Sequence, residues 1–187
     1  MIDKKIIEKL KNGGIGILPT DTIYGLVGLA ASAEAVERIY ELRKRDPKKP
    51  MIVLIGELSD LKKFDIKVDK KVIVKLKKYW PGKISIILPC KNDKFFYLHR
   101  GTKSLAFRLP ADGILQNLLK KTGPLVAPSA NIEGEKPAEN ITGAKKYFGD
   151  RIDFYIDGGR IESKPSTLIK IEEGEIRILR KGERNII

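Results

Sequence analysis

The sequence predicts a single α/β domain over residues 1–187, built on a twisted, open, mixed sheet with helices. Segments with apolar residues at helical spacing alternate with short apolar runs typical of buried strands, and this alternation favours parallel strands joined by helices. Two strand segments near the C-terminus flank a Glu-Glu-Gly turn and predict an antiparallel hairpin, so both kinds of pairing are expected. No repeat or Pro/Ser-rich linker divides the chain.

The first third of the chain predicts two helices and two strands. Residues 3–12 repeat apolar side chains at helical spacing and stop at a pair of glycines, and residues 15–18 form a short strand that a proline ends. Ser32 suits the N-cap of a second helix. Pro47 should end that helix, because the residue before a proline avoids the helical conformation. The apolar residues 51–55 then predict a buried strand.

The middle third continues the alternation. Residues 69–79 place apolar side chains on one side and lysines on the other, which predicts an amphipathic helix closed by Trp-Pro-Gly. Strands are predicted at 84–88 and 105–109, a helix at 114–121 that a glycine ends, and a strand at 125–127.

The final third predicts one more helix, near residues 141–148, and a strand at 154–156. Residues 167–171 and 175–179 are the two strands of the predicted hairpin, and Glu172-Glu173-Gly174 is its turn.

Composition excludes several classes of protein and site. The chain is 42% hydrophobic and 33% charged, which is typical of a folded domain. Its one cysteine, Cys90, and one histidine, His99, exclude internal disulfides and Cys- or His-based metal clusters, so no metal site is predicted. The longest uncharged stretch, 23–33, is far shorter than the roughly 18 to 20 apolar residues that span a bilayer. We therefore expect a cytoplasmic protein with no membrane partner.

Two common signatures of nucleotide-binding and hydrolytic enzymes are absent. No GxxxxGK[ST] loop occurs, and the glycine cluster at 13–16 precedes a strand, whereas a dinucleotide-binding fingerprint follows one. A Ser-His-Asp triad would depend on His99, which lies in a polar segment without a strand-turn-helix elbow.

The net charge of +13 admits two interpretations. An excess of lysine and arginine favours an anionic partner such as a nucleotide or RNA. Lysine-rich composition is also typical of heat-adapted proteins with no nucleic-acid role. Composition does not choose between them.

Three polar loops follow predicted elements and are candidates for a ligand site. Residues 19–22 and 125–131 place hydroxyl and amide side chains at strand ends, where open α/β sheets bind ligands. Local turns would use the same residue types. Residues 43–50 hold five cations, which could meet one anion or could simply complement the dipole of the preceding helix.

Six motifs occur in order between residues 14 and 182: PTDTIYGL, R-x-R followed by K-P, W-P-G ahead of a strand, F-R-L-P, PSAN and a late P-S-T. Together they closely resemble the YrdC-like threonylcarbamoyl-AMP synthase family. The resemblance implies a YrdC-like fold with a concave basic cavity. It also implies a nucleotidyltransferase that joins L-threonine, bicarbonate or CO2 and ATP into threonylcarbamoyl-AMP and pyrophosphate, for the threonylcarbamoyladenosine modification of tRNA.

The same resemblance implies roles for the residues that match the family's motifs. The residues implied to bind L-threonine are Thr22, Arg108, Ala127 and Ser166. Those implied to bind ATP are Arg45, Lys49, Ser104, Ser129, Asn131 and Arg180. The cations implied to face the reacting phosphates, and so to be catalytic, are Arg43, Arg45 and Lys49. An arginine fork suits the carboxylate of threonine because it can bond both oxygens, and Arg108 is expected to supply it.

The chain departs from the family's usual motifs at several positions. Arg43 replaces a lysine, Ser85 replaces a threonine, and Glu133 replaces the serine that usually follows PSAN. The resemblance also implies Mg²⁺ bound with ATP, held mainly by phosphates and water. A contact with tRNA, or with the complex that transfers the threonylcarbamoyl group, is a further expectation.

The principal alternative is a non-catalytic protein that uses the same fold to bind tRNA or double-stranded RNA. Its support is the lysine-rich segment 60–83. Lysine-rich helices without interleaved aromatic residues are more often solvated faces, which favours the enzyme. A carbamoyl-transfer module, as in hydrogenase-maturation proteins, is a third hypothesis.

Overall fold

The computed structural model describes residues 2–172 and 175–186. Its α-helices in this part of the chain are α1 (Lys4–Lys11), α2 (Ala33–Arg43), α3 (Lys70–Tyr79), α4 (Phe96–His99), α5 (Gly113–Thr122) and α6 (Ile141–Phe148). Short 3-10 turns cover Leu58–Phe64, Asp93–Phe95 and Gly149–Arg151. A side chain accepts a hydrogen bond from the first turn of every helix but α4, and these N-caps are Asp3, Ser32, Asp69, Asp112 and Asn140.

The strands form one mixed sheet. They are β1 (Gly16–Pro19), β2 (Tyr24–Leu29), β3 (Ile52–Leu54), β4 (Ile84–Pro89), β5 (Ser104–Arg108), β6 (Leu125–Val126), β7 (Phe154–Tyr155), β8 (Thr167–Glu172) and β9 (Glu175–Arg180). Within the described residues the sheet has nine strands in the order β7-β1-β2-β6-β3-β5-β4-β8-β9. The first and last strands in this order do not pair, so the sheet is open, as predicted. The predicted hairpin is present as β8 and β9, and two of its three turn residues, 173 and 174, lie outside the described residues.

The predicted mixed sheet is confirmed, but the alternation of helices and strands does not make parallel pairs throughout it. Only β1–β7, β3–β5 and β4–β8 are parallel among the pairs in the described sheet. The helix α5 joins β5 to β6, but β6 pairs with β2 and β3 and is antiparallel to both. The connection from β4 to β5 holds only the four-residue α4, and these two strands form an antiparallel pair. A helix that lies between two strands in the sequence therefore does not always connect a parallel pair of neighbouring strands.

Strand β2 and the early end of α2 are the other differences from the sequence-based elements. Strand β2 has the sequence YGLVGL, and glycine usually weakens a strand. There is little room for a side chain at either glycine: a Cβ at Gly28 would lie 3.0 Å from Ile15 Cγ2, and one at Gly25 would lie 3.3 Å from Thr20 Cγ2. Helix α2 stops at Arg43, before the predicted end, because Lys44 adopts the left-handed conformation (φ 48°).

The two faces of the sheet are covered unequally. Helices α2, α3, α4 and α6 contribute to the larger hydrophobic cluster on one face, and α1 and α5 pack with Leu18, Val27, Leu54 and Leu125 on the other. On that second face, alternation along β5 places Ser104, Ala106 and Arg108 beyond the cover of these two helices. This open part of the sheet is where the candidate site lies.

Candidate active site

A pocket on the open part of the sheet gathers polar side chains from several segments. Its lining consists of Thr20, Thr22, Ile23, Gly25, Ile52, Arg108, Ala127, Pro128, Ser129, Pro165, Ser166 and Arg180. All four residues predicted to bind threonine are in this lining, together with Ser129 and Arg180 from the predicted ATP site. The loop after β1, the end of β5, the PSAN loop after β6 and the segment before β8 therefore meet at one place.

The guanidinium of Arg108 is held between two hydroxyls and a carboxylate. Its Nη1 donates to Thr22 Oγ1 at 2.8 Å and its Nη2 to Thr20 Oγ1 at 3.4 Å. Asp21 Oδ1 lies 3.3 Å from Nη2, and both side chains are buried. Burial lowers the pKa of Arg108, while the charge of Asp21 raises it and that of Arg180 lowers it further. Arg108 Nε has no hydrogen-bond partner in the described part of the chain, so one donor stays free for a ligand.

A second polar group lies across the pocket, on β4 and in the P-S-T segment before β8. The hydroxyls of Ser166 and Ser85 are 2.8 Å apart, and both residues are buried. Arg180 donates through Nη2 to Ser166 O at 2.9 Å. The sequence did not predict the pairing of Ser85 with Ser166, because the two lie 81 residues apart on strands that become neighbours only in the sheet.

The PSAN loop is fixed from two sides. Its backbone continues the pairing with β2: Leu26 N donates to Pro128 O at 2.9 Å and Ala130 N to Tyr24 O at 2.9 Å. Ala127 N donates to Ile52 O at 3.0 Å, which sets the height of the loop over β3. These bonds hold the hydroxyl of Ser129 at the pocket.

Arg43 anchors the same loop from the end of α2. It is only 3% exposed. Its Nε donates to Asn131 O at 3.0 Å, and its Nη2 lies 3.2 Å from both Ser129 Oγ and Asn131 Oδ1. Arg43 is thus a positioning residue for the loop. Direct contact with a phosphate stays a prediction, for which only Nη1 has no partner within the described structure.

The cation segment after α2 lies beside the PSAN loop. Arg45 donates through Nη2 to Pro50 O at 2.8 Å, and its buried Nε has no partner among the described residues. Lys49 pairs with Glu133, and its side chain is half exposed. Tyr40 OH donates to Lys49 O at 2.7 Å and so ties this segment to α2.

The arginines of the site repel one another. Burial and the charge of Arg45 lower the pKa of Arg43 to about 10, and the same two causes lower the pKa of Arg180. Because arginine stays protonated at neutral pH, these side chains form a cluster of positive charge that an anion would relieve. The predicted residues Arg43, Arg45, Lys49 and Asn131 do not line the pocket and belong to the segments beside it. Ser104 does not line it either, and it lies four residues before Arg108 on the same face of β5, roughly 13 Å away at the rise of a strand.

Comparison with protein families identifies the chain. Residues 8–182 match the family model described as "Telomere recombination", whose members are the Sua5, YciO and YrdC proteins. The chain belongs to the Sua5/YciO/YrdC family. The matched range includes all of the polar strand-end loops that form the pocket.

Two curated relatives and one solved structure place the chain within the Sua5/YciO/YrdC family. A putative threonylcarbamoyl-AMP synthase of Methanocaldococcus jannaschii is 33% identical over 186 residues, 96% of this chain and 86% of its own length. Threonylcarbamoyl-AMP synthase of Bacillus subtilis is 32% identical over 152 residues, but this chain spans only 44% of its length. The crystal structure of Pyrococcus abyssi Sua5 complexed with L-threonine has a TM-score of 0.87 at 29% identity, over 95% of this chain and 53% of that one.

The arrangement of the acidic residues that the structure describes bears on whether a metal centre is possible. In the part of the chain that the structure describes, no group of three His, Cys, Asp or Glu side chains could hold a metal ion. Near the site, Asp21 is paired with Arg108 and Glu133 with Lys49. In the same described residues, no helix is long and apolar enough to cross a membrane.

Proposed function

We propose that this chain is a threonylcarbamoyl-AMP synthase, the activity named for its relatives. The observation that carries the proposal is the pocket in which Thr22, Arg108, Ala127 and Ser166 meet beside Ser129 and Arg180. The resemblance assigned the first four to threonine and the other two to ATP. Both substrates would then bind next to each other, as joining them requires.

The threonine end of the pocket is built for a small zwitterion. The buried guanidinium of Arg108 supplies a positive charge for the carboxylate, and its Nε is a donor without a partner in the described structure. The hydroxyls of Thr22 and Ser166 lie on the walls and can bond the hydroxyl of the substrate. Arg108 is held by Thr22, so binding and orientation depend on one connected network.

The nucleotide end is built for phosphates. Arg45 and Arg180 are close enough for the charge of one to lower the pKa of the other. Cations fixed in this way stabilise negative charge that develops on a phosphoryl group during transfer. Ser129 lines the pocket and would contact the rest of the nucleotide. The side chain of Asn131 is hydrogen-bonded to Arg43 and to two backbone carbonyls, so Asn131 would act by fixing this loop.

The reaction would need positioning more than acid or base groups. The amine of threonine adds to CO2, or to bicarbonate with loss of water, and becomes a carbamate. A carbamate oxygen then bonds to the α-phosphorus of ATP while the bond from that phosphorus to the bridging oxygen breaks, and pyrophosphate leaves. The chain would hold the two reactants in line and balance the charge on the leaving group.

The remaining partners follow from this activity. Mg²⁺ would arrive with ATP and be held by phosphates and water, since the acidic residues near the site are already paired, and no step above passes through it. The product would serve tRNA modification, with the threonylcarbamoyl group passed on by a separate complex. Such an enzyme would act in the cytoplasm, where ATP and tRNA are found.

Threonine-dependent release of pyrophosphate tests the proposal. The purified chain is mixed with ATP, bicarbonate and Mg²⁺, with and without L-threonine. We expect pyrophosphate only with threonine, and a loss of about 10- to 100-fold in kcat/KM for Thr22→Val, which keeps the shape but removes the hydroxyl that accepts from Arg108. Thr142→Val, an exposed position on α6, is the matched control. Pyrophosphate release that does not depend on threonine would overturn the proposal.

A further inference from the structure

The carboxylate of Glu133 lies between the PSAN loop and the cation segment. Its Oε2 accepts a hydrogen bond from the backbone N–H of Asp46 at 2.6 Å, and its Oε1 pairs with Lys49 Nζ. Its own backbone N–H donates to Arg43 O at 2.8 Å. The backbone of Glu133 is therefore held, and its side chain reaches across to the segment that carries the predicted phosphate-binding cations.

The surroundings of this carboxylate are those of an anion site. The hydrogen bond from Lys49 is the main cause that lowers the pKa of Glu133, with smaller contributions from the Asp46 N–H and the charge of Arg45. A backbone N–H and an ammonium on one anionic group, with the charge of a guanidinium acting on it, are also what the oxygens of a phosphate require. Arg43 and Arg45, from the same segment as Lys49, each have a buried nitrogen without a hydrogen-bond partner in the described structure.

We propose that Glu133 is an internal anion that holds the place of a nucleotide phosphate, so that ATP binds by displacing this carboxylate from Lys49. The inference rests on the proposed function, because it takes Lys49 and Arg45 to be the cations that meet the phosphates. It adds a residue that sets the affinity for ATP and pyrophosphate and leaves the affinity for threonine alone.

Exposure and charge both support an exchange. The Lys49 side chain is 56% exposed and that of Glu133 is 24% exposed, so either can swing away without opening the core. A carboxylate and a phosphate cannot share one ammonium closely without repulsion. Breaking the ion pair between Lys49 and Glu133 would therefore reduce the net binding free energy that Lys49 contributes to ATP. The same competition would speed the release of pyrophosphate, because Glu133 can return to Lys49 as the product leaves.

The binding of inorganic pyrophosphate and of ATP to Glu133→Gln tests this inference by calorimetry, without Mg²⁺ and with it. We expect the variant to bind both anions about tenfold more tightly than the unmodified chain, the effect of removing one partly exposed like charge. Threonine affinity and the thermal midpoint should not change. Glu135→Gln, an exposed carboxylate two residues along the same loop, is the matched control and should bind as the unmodified chain does.

A double-mutant cycle with Lys49→Gln distinguishes two roles for Glu133: competing with phosphate for Lys49, or orienting Lys49 toward the phosphate. If Glu133 competes with phosphate, Lys49→Gln weakens pyrophosphate binding more in the Glu133→Gln background than in the unmodified chain. If Glu133 instead orients Lys49 for the phosphate, the loss is smaller in that background, and the inference is overturned. The inference is also overturned if Glu133→Gln binds pyrophosphate as tightly as the unmodified chain, or more weakly. Weaker binding seen only with Mg²⁺ likewise overturns it, because that result would assign Glu133 to the metal.

The readouts keep the two proposals apart. Should Glu133→Gln unfold, Glu133→Ser replaces it and carries the same expectation. Tighter pyrophosphate binding by the variant, with no threonine-dependent pyrophosphate release by the unmodified chain, would support the anion exchange and overturn the proposed enzyme. Threonine-dependent pyrophosphate release by the unmodified chain, with pyrophosphate binding unchanged in the variant, would support the proposed enzyme and overturn the anion exchange.

Discussion

Arg108 Nη1 donates to Thr22 Oγ1 at 2.8 Å, and this bond joins the end of β5 to a loop 86 residues earlier in the sequence. The hydroxyl of Thr22 accepts from Arg108, so Thr22 orients the guanidinium as well as lining the pocket. Neither residue can do its proposed work alone. The proposed threonine site therefore depends on the loop after β1 being fixed, which Thr20 achieves by donating through Oγ1 to Ile23 O at 2.7 Å.

Arg108→Lys should raise the KM for threonine by about 10- to 100-fold. The expected loss is that of one hydrogen bond to a charged group, because lysine keeps the charge but lacks the planar fork in which Nη1 bonds Thr22 while Nε is left for the carboxylate. Steady-state kinetics with varied threonine measure the effect. Arg177→Lys, exposed on β9, is the control. An unchanged KM in Arg108→Lys would remove Arg108 from the threonine site.

Serine should be accepted with a modest loss, and valine should be rejected far more strongly. Valine has the shape of threonine, but its binding would leave the hydroxyls on the pocket walls buried without a partner. The test compares kcat/KM for the three amino acids by pyrophosphate release. Valine turned over as well as threonine would show that Thr22 and Ser166 do not contact the substrate hydroxyl.

Arg45→Ala should lower kcat/KM by an amount equivalent to about 2 to 4 kcal/mol, the scale for losing one preorganised donor of positive charge. Its guanidinium is fixed on Pro50 O and lies near Arg43 and Arg180. Lys48→Ala removes an exposed cation from the same segment and should change kcat/KM little. Equal losses in the two variants would mean that the segment acts through its net charge and not through a fixed Arg45.

Cys90 should be inert toward thiol reagents in the folded protein. Burial, helped by the nearby charge of Asp65, raises the pKa of its thiol to about 11. At pH 8 only about one molecule in a thousand would carry the thiolate, compared with about a quarter at the ordinary pKa of ~8.5. Ellman's reagent at pH 8 should therefore react at least ~100-fold faster after unfolding in urea. Rapid labelling of the native chain would show that the segment directly after β4 opens.

Local patterns predicted most helices and the C-terminal hairpin, but not which of the other strands pair. Helix α6 spans Ile141–Phe148, as its spacing predicts, and Ser32 and Asp69 cap α2 and α3 at the predicted starts. Capping and periodicity are short-range signals within one segment. Which strands become neighbours depends on packing between distant segments, which alternation along the chain does not reveal.

For the candidate site as well, the sequence predicted some residues but not the contacts between distant segments. Motif resemblance predicted Thr22, Arg108 and Ser166, and the structure brings them to one pocket. The partners of these residues were not predicted, because Ser85 meets Ser166 only through the pairing of β4 with β8. Glu133 was visible in the sequence only as a departure from a motif, and its contact with Lys49 depends on how two loops approach.

The most direct test of the proposed activity follows isotope from bicarbonate into an adenylate. The chain is incubated with ATP, L-threonine, Mg²⁺ and ¹³C-bicarbonate. The nucleotides are then separated and their masses are measured by mass spectrometry. We predict a threonylcarbamoyl-AMP that carries the heavy carbon, forms only when all three substrates are present, and is lost in Arg108→Ala. Absence of this product, together with retention of tRNA that survives physiological salt, would contradict the enzyme and favour the RNA-binding alternative.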